Sequence, residues 1–206
     1  MTSPSFSGLH WYRGSYRGGT DVRVKYASVV FSATAFVLVL AVGGLASVQA
    51  AAGTLVPVQT CTGETIELSG DEKRTLDLHN QTRADRGLSA FCVNPALTEA
   101  ARTHSEGMLD KDYFGHESNN GGAMEDRIER FGYSSAGYSY WTVGENIGWG
   151  TGPLSTPESR FEEWMDSPDH WPNILSEGFT EVGIGVHDSG THDGGKMYTV
   201  DFGTRY

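Results

Sequence analysis

Cysteine is scarce in this chain: Cys61 and Cys92 are the only two among 206 residues. They lack C-x-x-C spacing, which argues against a metal-binding role for the pair. No G-x-S-x-G stretch occurs, so the strained nucleophile elbow of one large hydrolase class is missing. No internal repeat is present. Positive charge is also short. Beyond residue 50, 11 Lys and Arg face 25 Asp and Glu, a net charge of −14. That balance argues against nucleic acid as a partner and against adhesion to anionic lipid.

Charge is missing altogether from Tyr26 to Val48, an apolar run preceded by Arg13, Arg17, Arg23 and Lys25. The run ends at Val48-Gln49-Ala50-Ala51, with small residues where a signal peptidase inspects the chain. An apolar stretch of about 20 residues also suffices to span a bilayer. Residues 1–50 therefore read either as a signal peptide cleaved after Ala50 or as a retained membrane anchor with its basic end inside. Both place the remainder outside the cytoplasm, secreted or held at the outer face of the cytoplasmic membrane. Membrane contact is then expected only through this segment. The remaining chain, about 155 residues, suits one domain with a sizeable core. In an oxidising compartment an even cysteine count favours a Cys61–Cys92 disulfide, contributing about 3 kcal/mol by loop entropy.

Residues 51–70 read as a linker and extended lead-in, and residues 71–206 as the domain. Ser69-Gly70-Asp71-Glu72 has capping-box spacing and starts a helix that Gly87 stops. Asn80-Gln81-Thr82 matches a glycosylation sequon, but inside that helix it reads as incidental. Asn94-Pro95 caps a second helix, in which Leu97, Ala100, Ala101, His104 and Met108 form a buried stripe. Met124 to Phe131 reads as a short helix closed by Gly132, and Tyr133 to Tyr140 as an aromatic-lined loop. Thr156-Pro157 caps a further helix carrying Phe161, Trp164 and Met165. Val182, Ile184 and Val186, then Tyr198, Val200 and Phe202, alternate as two strands, each with one buried face. Helices first and adjacent strands last give an α+β class with an antiparallel sheet.

Chemistry concentrates at His116, Glu145 and His170. Two histidines and a carboxylate are a ligand set for zinc or another divalent cation. Each lies in a polar or glycine-rich segment unlike ordinary core: Tyr113-Phe114-Gly115-His116 after a helix, Gly144-Glu145-Asn146-Ile147 opening a strand, and Ser167-Pro168-Asp169-His170 before a helical turn.

The same segments carry a family resemblance. Leu78-His79-Asn80-Gln81-Thr82-Arg83, Pro95-Ala96-Leu97-Thr98-Glu99-Ala100-Ala101, His104-Ser105, Asp126-Arg127-Ile128, Trp164-Met165-Asp166, Asn173-Ile174-Leu175 and Phe179 to Val186 complete the set in order. From Leu76 to Phe202 the chain resembles the bacterial branch of the CAP superfamily, which groups cysteine-rich secretory, antigen five and pathogenesis-related proteins and whose module is the SCP domain. The resemblance implies a three-layer α-β-α sandwich with a central, mainly antiparallel sheet. It also implies a cleft lined by two histidines and two glutamates, which in some members holds a divalent cation. His116, Glu145 and His170 fall on three of those positions. The fourth, three residues after Trp164, is Ser167 rather than an acid.

Several residues carry two readings. Glu163 shares a helix face with Ser167 and is either a substitute acid or part of a solvated face. His104 is either a cleft accessory or a hydrogen-bonded core histidine. Ser167 and His170 invite a hydrolase reading, against an N-cap role for the serine. His187-Asp188 and His192-Asp193 read as hairpin-loop residues, with a surface cation site as the alternative. Trp141, Trp149, Trp171, Tyr133, Tyr138 and Tyr140 either line a groove or pack on the sheet. The expected function is an extracellular binding module for a lipid, glycan, peptide or protein, with or without a cation. The alternative is a metal-dependent hydrolase of peptide or cell-wall material.

Overall fold

The computed structural model describes residues 54–190 and 195–206; the leader and His192-Asp193 lie outside the described residues. Among the described residues no helix is long and apolar enough to cross a membrane. Strands β1 (Val56–Gln59) and β2 (Thr65–Leu68) form an antiparallel hairpin. The lead-in is thus folded rather than a linker over these residues, because Val58, Ile66 and Leu68 all turn onto the core.

Helix α1 (Gly70–Ala84) begins at the expected reciprocal cap, Ser69 with Glu72. Gly87 lies just beyond its end at φ 72°. Strand β3 (Cys92–Val93) is joined to the hairpin by the Cys61–Cys92 disulfide. Asn94 caps helix α2 (Pro95–Asp110) by accepting N–H groups of Ala96 and Leu97. Helix α3 (Met124–Arg130), strand β4 (Trp141–Gly150), helices α4 (Pro157–Asp166) and α5 (Trp171–Leu175), and strands β5 (Glu181–Asp188) and β6 (Lys196–Arg205) follow. β4 starts at Trp141, so Glu145 lies in mid-strand instead of at its head.

The main sheet has the order β3-β5-β6-β4, with β6 antiparallel to both neighbours and β3 parallel to β5. α1, α4 and α5 cover one face and α2 and α3 the other, giving the three-layer α-β-α sandwich. Val182, Ile184, Tyr198, Val200 and Phe202 pack under Leu76, Phe161 and Trp164. The alternate positions are not solvent-facing, as the strand pattern had implied. β6 is buried on both sides from Met197 to Thr204.

Gly183 and Gly185 let α2 lie directly on β5. A Cβ at Gly183 would stand 2.0 Å from the Leu97 carbonyl carbon, and one at Gly185 would stand 2.2 Å from the Arg102 nitrogen. Both clashes are with backbone that cannot rotate away. Gly183→Ala should therefore cost about 3 kcal/mol or more, read as a fall in the urea midpoint; an unchanged midpoint would refute this close contact.

Edge strand β4 is finished by side chains. The carbonyls of Glu145, Ile147 and Trp149, at every second position, accept N–H groups from Asn173, Trp164 and Arg160 at 3.3, 2.9 and 2.6 Å. The α4–α5 segment is thereby fixed along the strand that carries Glu145.

Candidate functional site

Glu145 is at the centre of the site. Its residue is 6 % exposed, and both carboxylate oxygens are engaged. Oε1 accepts the Nδ1–H of His116 at 2.7 Å, and Oε2 accepts a short ion-paired hydrogen bond from the Arg127 guanidinium. Burial alone would raise the Glu145 carboxyl, but the His116 hydrogen bond and the Arg127 charge outweigh it and hold the group below the usual range. The His116 ring is raised in turn, first by the Glu145 hydrogen bond and against the opposing effect of burial. Its side chain is 54 % exposed, so Nε2 faces outward from a charge-stabilised base.

Arg127 comes from α3, where Met124, Arg127, Ile128 and Phe131 share one helix face. Its guanidinium also donates to the His116 carbonyl and the Ser118 hydroxyl, both at 3.2 Å. One buried cation thus fixes the loop that presents His116. Across the sheet, Asp201 stands opposite Glu145 in the β4–β6 register. It is fully buried, and its carboxyl oxygens meet no donor group of the protein, only the facing Glu145 carboxyl, with which it can share a proton. Burial first, then the Glu145 charge, push this carboxyl well above the usual range.

His104, 1 % exposed, donates Nε2–H to the Gly115 carbonyl at 2.9 Å, which sets its tautomer because a carbonyl only accepts. Nδ1 is then left to accept from the Tyr113 hydroxyl, at 3.5 Å. Burial lowers the ring to about 4, so it is neutral in the fold. The bonds of His104 are those of a core histidine, and they hold the His116 loop. Its Nε2 lies 3.8 Å from Glu145, beyond hydrogen-bond reach.

His170 is half-buried at the start of α5, with Nδ1 buried and unpartnered. Burial first and the His116 charge second lower its ring, so the two histidines sense one another. The Asn146 side-chain amide donates to the His170 backbone carbonyl at 3.1 Å, and Asn173 donates to the Asn146 side-chain Oδ1 at 2.9 Å. Ser167 ends α4, and its hydroxyl accepts the Asp169 N–H. Glu163 is solvent-exposed and ion-paired with Arg160, within electrostatic range of His170. His187 and Asp188 lie at the end of β5, away from this group. Tyr133 is completely buried in the core instead of in an open loop, while Tyr138, Tyr140 and Trp171 are exposed.

The profile of the cysteine-rich secretory protein family, CAP, matches residues 76–202. The chain belongs to this family. The CAP domain here is 36 % identical over 141 residues to the Bacillus subtilis protein YkwD, covering 68 % of this chain and 52 % of that one. A solved extracellular protein of Bacillus anthracis containing an SCP domain is 31 % identical, with a TM-score of 0.54, over 65 % of this chain and 40 % of that chain. An outer surface protein of Borrelia burgdorferi shares the fold at 17 % identity and a TM-score of 0.54, over 74 % of this chain and 100 % of its own. This CAP chain thus spans about half the length of YkwD.

The donor set of this CAP domain does not fit the divalent cation that the sequence resemblance implied for the cleft. Glu145 already neutralises Arg127 and accepts from His116, and the fourth position supplies a serine hydroxyl engaged by the Asp169 N–H. Among the described residues, three metal-competent donors converge only at Cys61, Cys92 and Glu181, where the sulfurs are bonded to each other. Arg127, Asp201, Asn146 and Asn173 had no role assigned from sequence. The signal for Arg127 was present: a charged residue on the apolar face of a short helix. Asp201 gave none, since the strand alternation placed it on an open face.

Proposed function

We propose that this protein acts outside the cytoplasm as a recognition module whose CAP cleft binds its ligand through His116, without a resident cation. The observation that carries this reading is the His116–Glu145–Arg127 chain. Its buried ion pair orients an exposed imidazole and keeps it protonated to higher pH than a free histidine. Nε2–H then donates to an acceptor oxygen of a ligand, such as a peptide carbonyl or a glycan hydroxyl. Phe114, two residues before His116, and Trp171, next to His170, are 50 % and 42 % exposed, which supplies apolar surface near the polar group. An extracellular setting is supported by the charge-free N-terminal run and by the extracellular Bacillus anthracis relative.

The test is an array of peptides, glycans and lipids probed with the intact chain and with His116→Ala, whose folding is verified by circular dichroism. The variant should lose about tenfold or more in affinity for the captured class. Equal binding by both proteins would remove the cleft from recognition. Turnover of peptide or peptidoglycan fragments that stops on chelation and returns with zinc would replace this reading with the hydrolase one.

A further inference from the structure

A cavity of about 250 Å³ lies between the C-terminal half of α2, the loop that follows it, and α3. Lys111, Arg127 and Arg130 line it together with Tyr113, Asn119 and Asn120, and no aspartate or glutamate does. In a segment with net charge −14 this reversal of sign is local.

The surrounding cations make it unusual. Lys73, Arg74, Arg102, Arg127, Arg160 and Lys196 meet carboxylates, while Arg83, Arg86 and Arg205 meet carbonyls, the first and last also aromatic rings. Lys111 and Arg130 meet neither among the described residues, and both stand at the rim of this one cavity. Arg127, 2 % exposed, forms part of its lining and keeps a buried Nε without a partner.

We propose that this cavity binds a small hydroxylated anion: a sugar or polyol that carries a phosphate or a carboxylate. The cations match the acid group, with Arg130 and Lys111 exposed at the mouth where they draw an anion in from solution. The Asn119 and Asn120 amides and the Tyr113 hydroxyl match neutral hydroxyls, and the volume exceeds what a bare ion fills. The cavity shares Arg127, His104 and Ser118 with the support of the His116 loop but does not include His116 itself, so Lys111 and Arg130, which take no part in the cleft reading, separate the two.

The experiment titrates the intact chain with glycerol phosphate and, separately, with glucuronate, against inorganic phosphate and glycerol as controls. At least one of the two hydroxylated anions should bind at a single site with Kd below about 10 mM; which one binds distinguishes phosphate from carboxylate as the acid group. Lys111→Gln/Arg130→Gln alters exposed side chains and should weaken that binding about tenfold or more, whereas His116→Ala should leave it unchanged. Raising the salt from about 50 to about 500 mM should weaken it too. Failure of both anions to bind, or equal binding by the double variant, overturns the proposal. Inorganic phosphate binding as tightly as glycerol phosphate overturns its sugar or polyol part.

Discussion

Replacing Arg127 by glutamine is expected to destabilise the fold by about 3–5 kcal/mol at neutral pH. The guanidinium is buried against the equally buried Glu145 carboxylate, and the two carboxyl groups of Glu145 and Asp201 face each other behind it. Removing the cation leaves Glu145 charged with only His116 to compensate. Glutamine cannot reach the Glu145 oxygen, the His116 carbonyl and the Ser118 hydroxyl at once, so the His116 loop should loosen as well. Losing the Arg127 charge raises the Glu145 carboxyl relative to the wild type. The penalty is therefore largest at neutral pH and shrinks in acid, toward the ordinary carboxyl value of 4.5, as the variant's Glu145 takes up a proton. Urea unfolding at both pH values reads this directly. Adding Glu145→Gln should recover part of the loss, because both charges are then gone. A loss under 1 kcal/mol would mean that water reaches this pair.

Asp201→Asn should act in the opposite direction and stabilise the protein at neutral pH by an amount on the order of 2 kcal/mol. A carboxyl whose value is raised in the fold contributes its full stability only below its ordinary value of 3.8, and loses it as pH rises toward the folded value. Asparagine has the shape of the neutral acid and no such loss. Its amide also donates toward Glu145, in place of the proton that the raised Asp201 carboxyl holds there. His79 and His104 run the other way. Burial lowers both to about 4, so their stability is complete above 6.5 and is lost as the pH falls toward 4. In the wild-type protein Asp201 partly cancels this slope between about pH 4 and pH 6.5. The variant should show the steeper histidine dependence, and its advantage should vanish near the lower limit. A lower melting temperature than wild type at neutral pH would show that the Asp201 carboxyl is favourably bonded in the fold.

Local chemistry made most of the framework legible. The Ser69 and Asn94 caps, the buried stripe from Leu97 to Met108, and the alternation of Val182, Ile184, Tyr198, Val200 and Phe202 each depend on a few neighbours, and each is found. Position in the sheet was harder to read. Alternation gives the same pattern for a half-exposed strand and for one whose second face meets helix backbone through glycine, and Gly183 and Gly185 fall in that ambiguity. The site divides along the same line. His116, Glu145 and His170 stand out because polar residues break an expected pattern. The pairing of Glu145 with Asp201 depends on which strands are neighbours, a long-range property. Arg127 needed both its helix face and the location of that helix against β4. Arg83 was likewise unmarked, although it stitches α1 to the Ser89, Ile174 and Ser176 carbonyls.

The donors that Asn173, Trp164 and Arg160 bring to β4 occupy positions that an incoming strand would need for its own ladder. Strand addition, a common route by which extracellular domains capture peptides or polymerise, is closed at those carbonyls. Along this edge the chain offers a partner side-chain surface in place of a backbone ladder. Mutations that strip the three donors would uncover a sheet margin able to recruit further copies of the chain.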